Sequence, residues 1–156
     1  MVSLVNYYLK QVEEEDCDLL FKWANNKEVR KNSFNNKEIS YDEHIKWFKK
    51  MILSPNVFMY IMYNGSKPVG QVRIEVIENC GTISYSIDKE FRGQKLGTLI
   101  IKLIEKKIEE LYEVDEIIGY VKKDNEPSKK IFKNLGYIQK ELNNKMMYYK
   151  RLNKRG

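Results

Sequence analysis

The sequence predicts an α/β domain in which helices cover both faces of a mixed, mostly antiparallel central sheet, with residues 1–156 forming one unit. Three observations carry this reading. Segments of period-two alternation, such as Thr82-Ile83-Ser84-Tyr85-Ser86-Ile87, are interleaved with segments whose apolar residues recur at helical spacing, such as Leu96, Ile100, Leu103, Ile104, Ile108 and Leu111. Three strand segments follow one another through short turns, which makes an antiparallel meander. The 156 residues contain no linker, repeat or low-complexity stretch, and that length buries a core without disulfide or metal staples.

In chain order, Val2 to Lys10 reads as a weakly alternating first strand. Asp16 to Asn25 reads as a helix, with the acidic run Glu13-Glu14-Glu15-Asp16 placed favourably at its positive end. Tyr41 to Leu53 is a second helix, with Ser40 as N-cap and Glu43 three residues on, the pattern of a capping box. The meander follows: Val57 to Tyr63, the turn Asn64-Gly65-Ser66-Lys67, Val69 to Ile77, the turn Glu78-Asn79-Cys80-Gly81, and Thr82 to Ile87. Asn-Gly between alternating segments is a strong hairpin signal. After the helix that starts near Leu96, Glu116 to Val121 is a strand that returns beside the meander. A short helix follows, and Tyr137 to Leu142 and Lys145 to Leu152 close the chain as a hairpin.

The segment richest in chemistry is Glu90-Phe91-Arg92-Gly93-Gln94-Lys95-Leu96-Gly97-Thr98, where a strand pattern stops and a helix pattern starts. A glycine-punctuated turn that opens a helix points several unpaired N–H groups in one direction. The helix dipole adds partial positive charge, and Arg92 and Lys95 add full charges nearby. Such a place suits phosphate. It matches neither the Gly-x-x-x-x-Gly-Lys-Ser/Thr phosphate loop nor the Gly-x-Gly-x-x-Gly dinucleotide fingerprint. Further on, Asn125-Glu126-Pro127-Ser128 opens the short helix with proline in its first turn, and Gly136 suits its stop. Asn125 and Ser128 can there reach a ligand lying between this helix and the preceding strand.

Together these two segments resemble the GNAT superfamily of acetyl-CoA-dependent N-acetyltransferases. Arg92-Gly93-Gln94-Lys95-Leu96-Gly97 matches its Arg/Gln-x-x-Gly-x-Gly/Ala pyrophosphate loop, with Lys95 in place of the first motif glycine. Asn125, Ser128, Phe132, Gly136 and Tyr137 match its Asn-x-x-Ala/Ser-x-x-x-Tyr/Phe-x-x-x-Gly-Phe/Tyr segment. The resemblance implies a GNAT fold in which the two strands flanking the cofactor, here Thr82–Ile87 and Glu116–Val121, splay apart. It implies acetyl-CoA as co-substrate and no metal. The cofactor would be held by residues 92–98 (Arg92, Gly93, Gln94, Lys95, Leu96, Gly97 and Thr98), by Asn125, Ser128 and Lys130, and by backbone N–H groups near Ser86 and Ile87 that polarise the thioester carbonyl.

Catalytic candidates are Glu75, Tyr85 and Tyr120. Glu75 shares a strand face with Gln71 and Arg73, where it either deprotonates the acceptor ammonium through a water or pairs with a neighbouring cation. Tyr85 and Tyr120 fall on the two splayed strands, as core aromatics or as donors to the leaving thiolate. Many family members carry a tyrosine as general acid where this chain has Phe132, which has no proton to give. No Ser-His-Asp or Cys-His arrangement supports a covalent acetyl-enzyme, so the resemblance implies direct transfer in a ternary complex.

The run from Trp23 to Phe48, rich in donors, suits a hydroxylated or phosphorylated acceptor. It is similar to acetyltransferases of nonulosonic-acid pathways, which modify the amino group of a UDP-linked amino-dideoxy sugar, and less closely to enzymes that acetylate N-termini of ribosomal proteins. On that reading Arg30 holds a nucleotide phosphate, and Asn35 also binds the acceptor. His44, the single histidine, bonds the sugar or acts as base, or else is a helix-face residue bonded to a nearby carbonyl.

The net charge of +6 is uneven: residues 122–156 hold 11 Lys/Arg against 3 Asp/Glu. Without an arginine-rich helix or basic-aromatic strand this disfavours nucleic acid, and a phosphate-bearing cofactor explains part of it. A non-catalytic acyl-CoA sensor or RNA binder is the alternative from a different class. Cys17 and Cys80 have no metal-ligand companions and read as reduced thiols. With no leader pattern and no span long enough for a bilayer, the chain is expected to be cytoplasmic and free of membrane. An exposed edge strand near the C-terminal hairpin offers a surface for a homodimer.

Overall fold

The computed structural model describes residues 6–111 and 113–152. Its elements are β1 (Tyr7–Gln11), α1 (Cys17–Ala24), α2 (Lys27–Lys31), α3 (Tyr41–Leu53), β2 (Val57–Asn64), β3 (Lys67–Ile77), β4 (Cys80–Ile87), α4 (Leu96–Leu111), β5 (Glu116–Val121), α5 (Glu126–Asn134), β6 (Ile138–Glu141) and β7 (Met146–Arg151). The strands form one seven-stranded sheet in the order β1-β2-β3-β4-β5-β7-β6. Every neighbouring pair is antiparallel except β4–β5, which is parallel. The expected mixed sheet with helices on both faces is therefore present.

Strand alternation sorts the core into two layers. On β2, Tyr60 and Met62 join Val69, Val72 and Ile74 of β3 under α4, whose Ile100, Ile101, Ile104 and Ile108 are fully buried. The intervening Met59 and Ile61 face the other way, onto Leu20 and Trp23 of α1 and Phe48 of α3. One strand thus serves two cores because successive side chains point to opposite faces. At roughly 1.5–3 kcal/mol for each fully buried large apolar side chain, the four isoleucines of α4 are its principal hold on the sheet.

Three local readings change. The expected first strand begins later, at Tyr7, and its Val2 to Val5 portion lies outside the described residues. The connection between the first two long helices contains a further helix, α2, because Asn26 caps it: its side-chain oxygen accepts from the N–H groups of Glu28 and Val29. Cys80 and Gly81 belong to β4 and not to the turn, which is only Glu78-Asn79. Both turn residues hold positive φ (49° and 63°), the conformation that a two-residue hairpin matching strand twist demands. Ser40 caps α3 as expected, accepting from the Glu43 N–H.

Candidate active site

The parallel β4–β5 ladder ends at Ile83↔Gly119. Beyond it β4 stays paired with β3 as far as Ile87, while β5 stays paired with β7 as far as Val121. The two strands therefore diverge and leave a wedge-shaped opening in the middle of the sheet. Asp88 donates its N–H to the Val69 carbonyl of β3 at 2.9 Å. By the two-residue alternation of a strand, the N–H groups of Tyr85 and Ile87 then face the opening, and that of Ser86 faces β3. Of the expected pair Ser86 and Ile87, only the second presents its N–H to the wedge, and Tyr85 supplies the other.

The wedge opens into a cleft of about 1110 Å³ running from the start of α4 to the α1–α3 side. At the α4 end, Lys89–Phe91 forms a 3-10 turn capped by Asp88, which accepts from the Glu90 N–H at 2.9 Å. The other Asp88 oxygen accepts from the Trp23 indole at 2.7 Å. Burial opposes the charge on Asp88, but these two donors and the cations Lys22 and Arg92 hold its carboxyl below the usual carboxylate range. Gly93 takes φ +81° and Lys95 φ +61°. Gly93, Lys95, Leu96 and Gly97 line the cleft at the first turn of α4, where helix N–H groups have no intrahelical acceptor. Lys95 adopts the glycine-like conformation that its motif position requires, at a backbone cost of about 1–2 kcal/mol. Arg92 donates to the Ile87 carbonyl at 3.1 Å and to Asn26 at 3.0 Å.

Gly97 permits close packing here. A Cβ on it would stand 2.8 Å from Ile131 Cδ1 and 3.4 Å from the Tyr85 ring. Asn125 caps α5 by accepting from the Ser128 N–H, and the buried Ser128 hydroxyl lies 2.7 Å from the Tyr85 hydroxyl. This bond spans the wedge on its α4–α5 face and gives it a floor. Burial pushes the Tyr85 phenol above its ordinary pKa, more than the Ser128 bond lowers it. Phe132 is 2% exposed and sits under Gly119, stacked on Tyr148 at 5.3 Å and edge-on to Tyr137 at 5.0 Å. Its position is a packing position.

On the opposite face the cleft is lined by β3, β5 and the α1–α3 segment. Gln71 donates to Ser86 Oγ at 3.1 Å, and the Arg73 guanidinium lies over the Trp47 ring at 5.2 Å. Tyr120 alternates with Ile117, Gly119 and Val121, which face the α4 core, so it points away from Tyr85, and Lys145 Nζ sits 4.3 Å from its ring centroid. The two tyrosine candidates therefore occupy opposite faces of the sheet.

Other candidates have different surroundings from those expected. Arg30 donates to the carbonyls of Ala24, Asn35 and Lys37 and to Ser33 Oγ, so its guanidinium is spent on fixing the α2 loop. Asn35 lines the cleft through that loop. His44 is 2% exposed, and its Nε2 is 2.9 Å from the Cys17 carbonyl, the helix-face arrangement. Glu75 stands behind Arg73, and Glu75, Gln94, Thr98 and Lys130 are all outside the cleft lining. Lys130 falls on the side of α5 away from Ser128, because two residues along a helix turn about 200°. The one carboxylate among the described lining residues is Glu28 of α2, which sequence reasoning passed over because nothing marked that connection as helical. Trp47 over Arg73 was missed as well, since only the packing of α3 on the sheet joins them. Among the described residues no group of three or more His, Cys, Asp or Glu is placed to hold a metal ion.

The divergent strands, the phosphate-shaped turn and the capped short helix coincide with a family pattern: the model of the acetyltransferase (GNAT) domain matches residues 6–138. The chain belongs to the GNAT acetyltransferase family. It is an acetyl-CoA-dependent N-acetyltransferase. Acetyltransferase PseH of Campylobacter jejuni is 23% identical over 134 residues, covering 85% of this chain and 82% of that protein. The PseH crystal structure superimposes with a TM-score of 0.75 at 18% identity, over 95% of this chain and 99% of the other. Spermidine N-acetyltransferase from Vibrio cholerae, solved with CoA and spermine, has a TM-score of 0.85 at 15% identity, over 94% and 96%. RimL, a ribosomal L7/L12 α-N-protein acetyltransferase solved with CoA, has a TM-score of 0.81 at 17% identity, over 97% of each chain. The GNAT fold is thus common to proteins with quite different acceptors, and acceptor choice has to be argued from the cleft itself.

Proposed function

We propose that this GNAT enzyme transfers the acetyl group of acetyl-CoA directly to the primary amine of a UDP-linked amino-dideoxy sugar. The observation that carries the acceptor is the lining of the α1–α3 side: Arg73 on Trp47, Gln71, and a single carboxylate, Glu28. A cleft so furnished suits a hydroxylated, anionic molecule and gives a polycation little to bind. The sequence similarity to PseH points the same way.

The pyrophosphate of the cofactor is received by the N–H groups at Gly93–Gly97, with Arg92 and Lys95 alongside. The pantetheine arm pairs with the open edge of β4, reaching toward Asn125 and Ser128 on its other side. The thioester carbonyl accepts from the Tyr85 or Ile87 N–H, where one such oxyanion donor is worth roughly 2.7–4 kcal/mol of barrier. Glu28, which lines the cleft where Glu75 does not, takes the ammonium proton directly or through water. The amine nitrogen then bonds to the acetyl carbon, the carbon–sulfur bond breaks, and Tyr85, kept protonated by burial, gives its proton to the leaving thiolate in place of the absent tyrosine at Phe132; the surplus proton on the attacking nitrogen passes through water to the Tyr85 phenolate, leaving a neutral amide and a restored phenol.

The test is thiol release from acetyl-CoA against a panel of UDP-amino-dideoxy sugars, polyamines and ribosomal amino-terminal peptides. Turnover with a sugar nucleotide is the expected result. Turnover confined to peptides or polyamines would keep the chemistry and overturn the acceptor.

A further inference from the structure

Arg73 is the one arginine among the described residues of the cleft whose guanidinium the fold leaves without a hydrogen-bond acceptor. It stands on β3 opposite Ser84, the first residue of β4 beyond the end of the β4–β5 ladder, and so beside the mouth of the wedge. Its guanidinium carbon lies over the Trp47 ring, 5.2 Å from the centroid. Among the described residues it donates no hydrogen bond and makes no ion pair within 4.0 Å. Glu75 acts on it only from a longer range, and burial pulls its pKa downward against that help. The other cleft arginines contrast with it: Arg30 is consumed by loop carbonyls, and Arg92 by Ile87 and Asn26.

A guanidinium held against a ring with no hydrogen bond of its own keeps its coplanar N–H donors available, and their fork matches the oxygens of a phosphate or carboxylate two at a time. A half-buried cation left unpaired is unfavourable, and a ligand anion relieves it. We infer that Arg73 is a specificity-determining residue for the acceptor, its free edge receiving an anionic group that the acceptor carries close to the reacting amine. On the proposed acetylation of a sugar nucleotide, on which this inference rests, that group is a phosphate of the diphosphate. The same residue repels cationic acceptors such as polyamines.

The experiment compares wild type, Arg73→Ala and Arg73→Lys on matched acceptors at saturating acetyl-CoA. One pair is a UDP-linked amino-dideoxy sugar and its neutral methyl glycoside; the other is an amino-terminal peptide with an acidic second residue and its neutral counterpart. Arg73→Ala is expected to raise KM for the anionic member at least about tenfold, the loss of a charge-assisted hydrogen bond, with Arg73→Lys recovering part of it. KM for the neutral member and for acetyl-CoA stays within about twofold, which a general disturbance of the fold would not allow. Independently of turnover, UDP titrated into the CoA-loaded protein is expected to change tryptophan fluorescence saturably through Trp47, with the midpoint shifted by a similar factor in Arg73→Ala. Arg73 dependence in the peptide pair alone would overturn the sugar-nucleotide acceptor and keep the inference. Turnover of the sugar nucleotide with KM and UDP response indifferent to Arg73→Ala, or an equal rise for charged and neutral members, would overturn the inference and keep the acceptor.

Discussion

At the residue scale, the most consequential exchange is between Phe132 and Tyr85. Phe132 fills the space under Gly119 and has no proton to offer, whereas Tyr85 sends its hydroxyl to Ser128 along the floor of the wedge. We expect Tyr85→Phe to lower kcat by roughly 100-fold with little change in KM for acetyl-CoA, and Ser128→Ala, which breaks the same hydrogen bond, to cost much less. Steady-state kinetics on the two variants decides it: equal losses would assign the bond a purely architectural value. The pH dependence follows from the raised pKa. Burial favours the neutral phenol, so Tyr85 stays protonated through the ordinary phenol range and sets no alkaline limb of the rate profile there. Its favourable effect on stability is complete below the unfolded phenol pKa and is lost only as pH rises above it. Phe132 was readable in the sequence as a vacancy in a motif. That Tyr85 meets Ser128 was not, because residues 43 apart in the chain touch only after α5 docks across the sheet.

At the element scale, α4 does two jobs with two ends. Its first turn is shaped for an anion, and its later turns are bolted to the C-terminal hairpin. Glu105, buried on α4, accepts from the Tyr137 hydroxyl at 2.8 Å and from Lys150 Nζ of β7 at 3.1 Å. Burial, followed by the nearby Glu105 charge, pushes the Tyr137 phenol far above its usual range. Removing the acceptor by Glu105→Ala leaves the buried Tyr137 hydroxyl without its partner and Lys150 with only the Leu135 carbonyl to bind. We expect a loss of about 2–4 kcal/mol in urea unfolding, with Glu105→Gln losing less because it still accepts from Tyr137. Helix and strand boundaries were largely legible here, since caps and turn residues such as Ser40 and Asn125 act locally. The exceptions are instructive: α2 depends on one asparagine side chain, and Cys80 enters β4 because a two-residue turn at Glu78-Asn79 suffices.

At the scale of the whole molecule, the parallel β4–β5 contact follows from a crossover through α4, which the alternation of strand and helix patterns already implied. The α4 end of the cleft, where we propose the cofactor lies, was the more legible in outline, because a loop followed by a helix sets its own backbone geometry within a few consecutive residues. The α1–α3 end, where we propose the acceptor lies, was not. Trp47, Arg73, Gln71 and Glu28 come from α3, β3 and α2, and their meeting depends on how the α1–α3 layer packs on Met59 and Ile61. The solvent-facing edge strand β6, whose four residues are all exposed, retains the surface on which we propose that a second copy pairs.

The interrupted β4–β5 ladder also bears on how long the protein lasts. An empty wedge is a sheet edge in the middle of the molecule, with backbone donors from Tyr85 and Ile87 that lack a strand to bind. Such an edge is a point where the sheet can open and where a protease or another chain can intrude. On the proposed placement, a pantetheine arm laid along β4 completes the ladder, so the thiol cofactor serves as an added strand as well as a reagent. Because it binds only the folded form, CoA at 100 times its Kd adds about 2.7 kcal/mol of stability. The melting temperature should climb with CoA concentration and nicking near the wedge should slow, even with no acceptor present; a CoA-independent melting temperature would contradict this. The abundance of the enzyme would then follow the supply of its own co-substrate.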